Sequence, residues 1–229
     1  MDDIPTSIPG VTVTIAESAV RVASERPLTI LSSAIVGGGL TEVRDIVNMH
    51  VDDVAADARP EDDLRAFASG LGITAPFVGL MTAAKTQNAR LAEASRDGLT
   101  VASVVSVGLS NRSCAGATAP APTGPGTINA LVLIDAALTP AALVNAVITT
   151  TEAKAMALAA WDVRTRDGLP ASGTSTDAVV VAGTGRGEPL HYAGPVTTVG
   201  WLIARTVREA IERICHEQVA RDGGRRIDW

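Results

Sequence analysis

The chain has 229 residues, a formal net charge of −6 and a pI near 5.1, so it lacks the positive field that nucleic-acid binding needs, and no nucleic-acid partner is expected. That length suits one large domain or two small ones, and a single domain over 1–229 is expected; hydrophobic residues make up 46% but aromatics only 3%, so the core is built from Ala, Val, Leu and Ile. Two distant cysteines, Cys114 and Cys215, give neither a zinc motif nor a disulfide framework, and the start MDDIPTSIPG lacks the basic end and apolar stretch of a secretory signal, so a cytoplasmic location is expected.

Val11, Val13 and Ile15 alternate with threonines, Val20 and Val22 follow, and 28–36 is β-branched and apolar; these read as successive strands ended by Gly37, Gly38 and Gly39. The acidic run Asp52, Asp53, Asp57, Glu61, Asp62 and Asp63 lacks the ligand spacing and glycine turn of a calcium loop and reads as a solvated face. Leu64, Phe67 and Ala68 stand at helical spacing between Pro60 and Gly70, predicting a short surface helix over 60–69. Segments 77–84 and 99–109 are strand-like, whereas 86–95 suits neither period. Residues 111–126 are too rich in Pro, Gly and Ala for regular structure and read as a functional or flexible loop.

A buried strand is predicted over 127–135, then a long helix from Pro140, capped by Thr139, to about Trp161. Glu152 and Lys154 near the middle of that helix argue against a membrane span. A strand over 178–182 follows, then the plain loop GTGRG, then a helix over 198–218 with Trp201, Leu202, Ile211 and Ile214 on its apolar stripe; 219–229 reads as a loose tail. Strands precede helices, so the fold class is α/β in the α+β sense, a layered sandwich rather than a doubly wound sheet.

There is no phosphate-binding GxxxxGK[ST] loop and no GxSxG elbow, and His50, His191 and His216 are isolated, so no metal site is expected. What remains is a set of small polar residues beside glycines at strand ends: the run Gly37–Gly39, Thr82, Ser110 and Asn111, Thr127 and Asn129, and Thr174, Ser175, Thr176 and Asp177 after Gly173. Any one of these alone reads as a turn or cap. Glu152 and Lys154 lie two positions apart on one helix and point to different sides, so one faces solvent and the other the core or a site, where Asp177 is a candidate partner.

The segments SSAIVGGGL, VGLMTAA, VGLSN, PGTINALVLIDAALTPAALVNAVITTTEAKAMAL, SGTSTDAVVVA and YAGPVTTVG, in this order, resemble the adenosylcobinamide amidohydrolase family over about 32–210. GTIN, TEAK and GTSTD at these separations carry the resemblance. It implies hydrolysis of the amide joining aminopropanol to the corrinoid of adenosylcobinamide, giving adenosylcobyric acid and aminopropanol in corrinoid salvage. It implies no protein-bound cofactor, since cobalt arrives inside the small-molecule substrate, and leaves a homo-oligomer open. Alternatives are a non-catalytic corrinoid-binding protein and a self-cleaving amidase or acyltransferase with a small substrate.

GTINALVLIDAALTPAALVNAV followed by STDAVVVA is also similar to the nucleophile region of ornithine acetyltransferases and related self-cleaving aminopeptidases. This second similarity implies an αββα sandwich and a nucleophile at Thr127, freed by cleavage after Gly126. On that reading Gly108, Ser110 and Asn111 stabilise the oxyanion, and Glu152 or Asp177 orients the reacting groups. Without cleavage, the same carboxylates would activate a water. Gly37, Gly38, Gly39, Thr82, Ser110, Asn129, Lys154, Thr174, Ser175 and Thr176 are the expected substrate contacts.

Overall fold

The computed structural model describes residues 3–52, 59–121 and 126–221. Asp53, Asp57, residues 122–125 of the predicted loop and the tail from 222 lie outside the described residues. The elements are β1 (Asp3–Pro5), β2 (Val11–Ile15), β3 (Ala19–Ser32), β4 (Gly39–His50), α1 (Pro60–Gly70), β5 (Val78–Thr82), β6 (Arg90–Arg96), β7 (Leu99–Val107), β8 (Arg112–Ser113), β9 (Ile128–Ile134), α2 (Pro140–Ala160), β10 (Gly173–Thr174), β11 (Ala178–Gly183) and α3 (Thr198–Arg221), with a 3-10 turn at Thr86–Asn88.

Among the described residues the strands form a mixed nine-stranded sheet that makes a half-barrel, plus the small β8–β10 pair. In the large sheet β3 is the hinge. Its first half pairs with β2, its last residues pair with β11, and β4 runs antiparallel along its other edge with a register shift between Ala23 and Leu28. The two strands predicted over 20–36 are therefore one strand that ends at Ser32. The charged and proline-containing stretch Ser24–Pro27 looks like a break in sequence, but it is absorbed by the bulge, a place in a strand where a residue without an N–H fits.

Alternation along the strands separates three apolar clusters. On β9, Ile128, Ala130, Val132 and Ile134 join Leu143, Ala146 and Ala157 of α2 and Leu202, Ile203, Val207 and Ile211 of α3. Leu131 and Leu133, pointing the other way, meet Val13, Val22, Ile46 and Leu80 from the far half of the sheet. A third cluster packs Leu64 and Ala68 of α1 onto Val47 and Phe77. The Thr139 hydroxyl caps α2 by accepting from Ala142 N–H at 3.2 Å, with Pro140 in the first turn.

Two helix expectations need correction. Trp201 is not on the buried stripe of α3: it is 40% exposed, with the Arg96 and Arg205 guanidinium carbons 5.3 and 5.5 Å from its ring centre. Adjacent positions on a helix diverge by about 100°, so with Leu202 fully buried Trp201 is swung outward. The helix also continues through Arg221 where a loose tail from 219 was expected.

Candidate functional site

The parallel pairing of β9 with β11 and the antiparallel pairing of β7 with β9 bring three loops to one end of the sheet. They are the turn after β7 (Gly108–Asn111), the approach to β9 (Gly126–Thr127) and the approach to β11 (Gly173–Asp177). Most of the sequence-predicted polar residues meet there.

Thr127 is 4% exposed and stands at the head of β9. Its Oγ1 lies 2.8 Å from the Thr176 carbonyl oxygen and 3.1 Å from Asn129 Oδ1; with one proton it donates to one of them at a time. Asn129 spends its Nδ2 protons on Asn48 Oδ1 at 2.8 Å and Met81 O at 2.9 Å, and Asn48 Nδ2 donates to Ser106 Oγ at 3.1 Å. Asn129, Asn48 and Ser106 are all at most 2% exposed, so this chain of side chains is a hydrogen-bonded polar network inside an apolar core, and its Asn129 end holds the side chain of Thr127.

The residue before Thr127 is equally constrained. Gly126 has φ of +122°, and a Cβ there would lie 2.4 Å from Ser110 Oγ and 2.7 Å from Asn111 Oδ1, so only glycine fits. Thr176 Oγ1 donates to the Gly126 carbonyl oxygen at 2.8 Å. The carbonyl of the Gly126–Thr127 peptide is thereby polarised by one hydroxyl while the Thr127 hydroxyl stands on the other side of the same bond.

Asp177 anchors the opposite face. Its Oδ1 accepts from Ile128 N–H at 3.0 Å and from the Thr174 hydroxyl; its Oδ2 accepts from Thr174 N–H at 3.1 Å and from the Lys154 ammonium. Lys154 is 8% exposed, so this is a buried ion pair. Gly173 lies over it, where a Cβ would fall 2.2 Å from Asp177 Oδ2. On the solvent side Asn111 Nδ2 donates to Ser175 Oγ at 2.7 Å, and Ser110, Asn111 and Ser175 border a cleft of about 410 Å³ shared with Arg112 and Arg166.

The remaining expected residues lie apart. Glu152 is exposed on the side of α2 that faces away from Lys154, and the cluster of carboxylate and nucleophile contains Asp177 without it. Thr82 is buried, and its hydroxyl accepts from Ala84 N–H at 3.0 Å as a turn cap, although its neighbour Met81 supplies a carbonyl to Asn129. Gly37, Gly38 and Gly39 are exposed at the end of the β3–β4 connection and the start of β4; Ser33, at the other end of that connection, pairs with Val179, two residues beyond Asp177. Among the described residues no three His, Cys, Asp or Glu side chains gather as metal ligands, and no helix is long and apolar enough to cross a membrane.

Asn48 and Ser106 escaped sequence reasoning because both sit inside strands rather than at a strand end. The available signal was an amide or hydroxyl inside an otherwise apolar strand, IVNM and VVSV, since a polar side chain in such a run must find a buried partner.

Comparison with known proteins agrees over nearly the whole chain. The family described as adenosylcobinamide amidohydrolase matches residues 5–223, beyond the 32–210 span of the motifs. The adenosylcobinamide amidohydrolase of Methanosarcina mazei is 32% identical over 77% of this chain and 85% of its own length. That of Halobacterium salinarum is 37% identical over 70% of this chain and 68% of its own. An uncharacterized Methanocaldococcus jannaschii protein is 38% identical over 38% of this chain, and the match spans only 34% of that protein. The solved PH0078 protein of Pyrococcus horikoshii shares the fold, with a TM-score of 0.51 and 13% identity over 92% of this chain and 85% of its own.

Proposed function

Because the chain belongs to the adenosylcobinamide amidohydrolase family, we propose that it hydrolyses the amide linking aminopropanol to the corrinoid of adenosylcobinamide, releasing adenosylcobyric acid and aminopropanol. The observation that carries the mechanism is the Thr127 hydroxyl, buried and held by Thr176 O and Asn129, beside a Gly126 carbonyl that accepts from Thr176. Thr127 first attacks the Gly126 carbonyl carbon; the oxygen gains negative charge against the Thr176 hydroxyl, the peptide C–N bond breaks, and water hydrolyses the resulting ester. The products are a Gly126 carboxylate and a free α-amine on Thr127.

That amine, with a reference pKa of about 8, is the base for the main reaction. It takes the Thr127 hydroxyl proton as the oxygen attacks the substrate amide, and it returns the proton to the departing aminopropanol. Water then cleaves the acyl-enzyme ester and frees the corrinoid acid. Asp177 orients: both its oxygens are occupied, one on Ile128 N–H, so it holds the backbone of the nucleophile and is poorly suited to take a proton. The same saturation, with Glu152 turned to solvent, favours this route over a water activated by a carboxylate. Ser110, Asn111 and Ser175 line the approach for the corrinoid.

We read the three apolar clusters as the spacers of an αββα sandwich, with α2 and α3 outside one half of the sheet and α1 outside the other, and the site of action as the cytoplasm. Intact-mass measurement of the purified protein tests the maturation step. Fragments 1–126 and 127–229 support it, and a single chain that nevertheless hydrolyses adenosylcobinamide replaces it with direct water attack.

A further inference from the structure

A second cleft, of about 470 Å³, lies between α2 and the adjoining ends of β3 and β11; it shares Asp177 with the site above, which otherwise leaves it unused. Its helical wall is Val144, Val147, Thr151 and Lys154, at spacings that keep all four on one side of α2. Leu31 and Val179 face them from the strands. Apolar walls therefore lead down to the Lys154–Asp177 pair.

The two members of that pair are unequally satisfied. Asp177 accepts four hydrogen bonds. An ammonium has three N–H donors, and among the described residues Asp177 is the one acceptor for Lys154. Lys154 lines the cleft, so its remaining donors are available at the floor to an acceptor that enters. The pair is already neutral, and a second carboxylate would leave a net charge in a low-dielectric setting; a neutral carbonyl oxygen would not. At the rim, Thr151 donates to Val147 O and keeps its lone pairs for an incoming N–H.

We propose that this cleft holds a neutral carboxamide arm of the corrinoid, a neighbour of the arm that is cut, with Lys154 donating to its oxygen. This rests on the corrinoid reading, because the corrin rim carries carboxamides on short aliphatic stems, which match apolar walls over a donor floor. The geometry ties the two sites together. Asp177 holds Lys154 through one oxygen and the Ile128 N–H, next to Thr127, through the other, so an arm seated on Lys154 fixes the ring one carboxylate away from the nucleophile.

Val144→Trp and Thr151→Trp each fill the cleft from exposed positions of α2, outside the Thr127 network. Each variant is first checked by its melting curve, and either one folded is sufficient. Equilibrium dialysis with adenosylcobinamide, run in the Thr127→Ala background so that the ligand is not consumed, should then show Kd raised by about tenfold or more. An unchanged Kd in the folded variants overturns the cleft assignment, whether or not the wild type turns over. Wild-type binding that weakens in the variants, with no aminopropanol released by the wild type, overturns the hydrolase reading and leaves the cleft standing. Absence of binding by the wild type overturns both.

Discussion

Thr127 owes its proposed reactivity to neighbours that leave it one orientation, and single substitutions there separate chemistry from folding. Thr127→Ala should lower turnover by about 10³-fold or more while corrinoid binding and the melting temperature hold, and Thr127→Ser should restore part of the rate. Near-normal turnover in the alanine variant would remove Thr127 from the mechanism. Gly126→Ala places a methyl group against Ser110 and Asn111 at a positive φ, so it should block cleavage and destabilise the protein, read together by mass and melting. Glu152→Gln should change kcat by less than about twofold, because that carboxylate faces solvent. At this scale the informative signal was a small polar residue within a few positions of a glycine at a strand end: Thr127, Asn111 and Asp177 converge. Thr82 fits the same pattern and is a turn cap, because adjacency to glycine marks a tight turn before it marks a site. Lys154 against Glu152 was legible as a division between two helix sides; that Lys154 is the buried one follows from how α2 sits on the sheet.

At the scale of elements, α2 and β3 carry opposite lessons. The capped, proline-led start of α2 was readable residue by residue, because a cap is a local interaction. The paired length of β3 and β4 was not, because a strand interrupted by Glu25, Arg26 and Pro27 is held by its partner across the sheet, a non-local contact that no window reveals. In α2, Lys154→Met would remove the counter-charge of the half-buried Asp177, a loss of up to about 3 kcal/mol that a denaturant titration would read. In α3, burial first and Glu212 second push the Cys215 thiol up from 9.0 to about 12. The folded state thus keeps a proton that the unfolded state releases, so stability falls as pH rises from about 9 towards about 12. Cys215→Ala should flatten that part of a melting-temperature profile. An equally steep decline in the variant would assign the alkaline loss to other groups.

For the molecule as a whole, the sheet acts as the frame that carries loops from distant parts of the sequence to one end, and the composition explains how. With few aromatic rings, Ala146, Ala153 and Ala157 of α2 pack close over the sheet, which brings Lys154 within reach of the β11 approach loop. The fold class was legible because strands and helices announce themselves by period. The bend of the sheet was not, since it depends on how β3 divides its edge between β2 and β11. The central claim is that this frame assembles an amide-cleaving site, and it is tested most directly by incubating the purified protein with adenosylcobinamide and measuring free aminopropanol. The account predicts multiple turnovers with matching formation of the corrinoid acid, abolished by Thr127→Ala. Tight corrinoid binding with no aminopropanol released would contradict it.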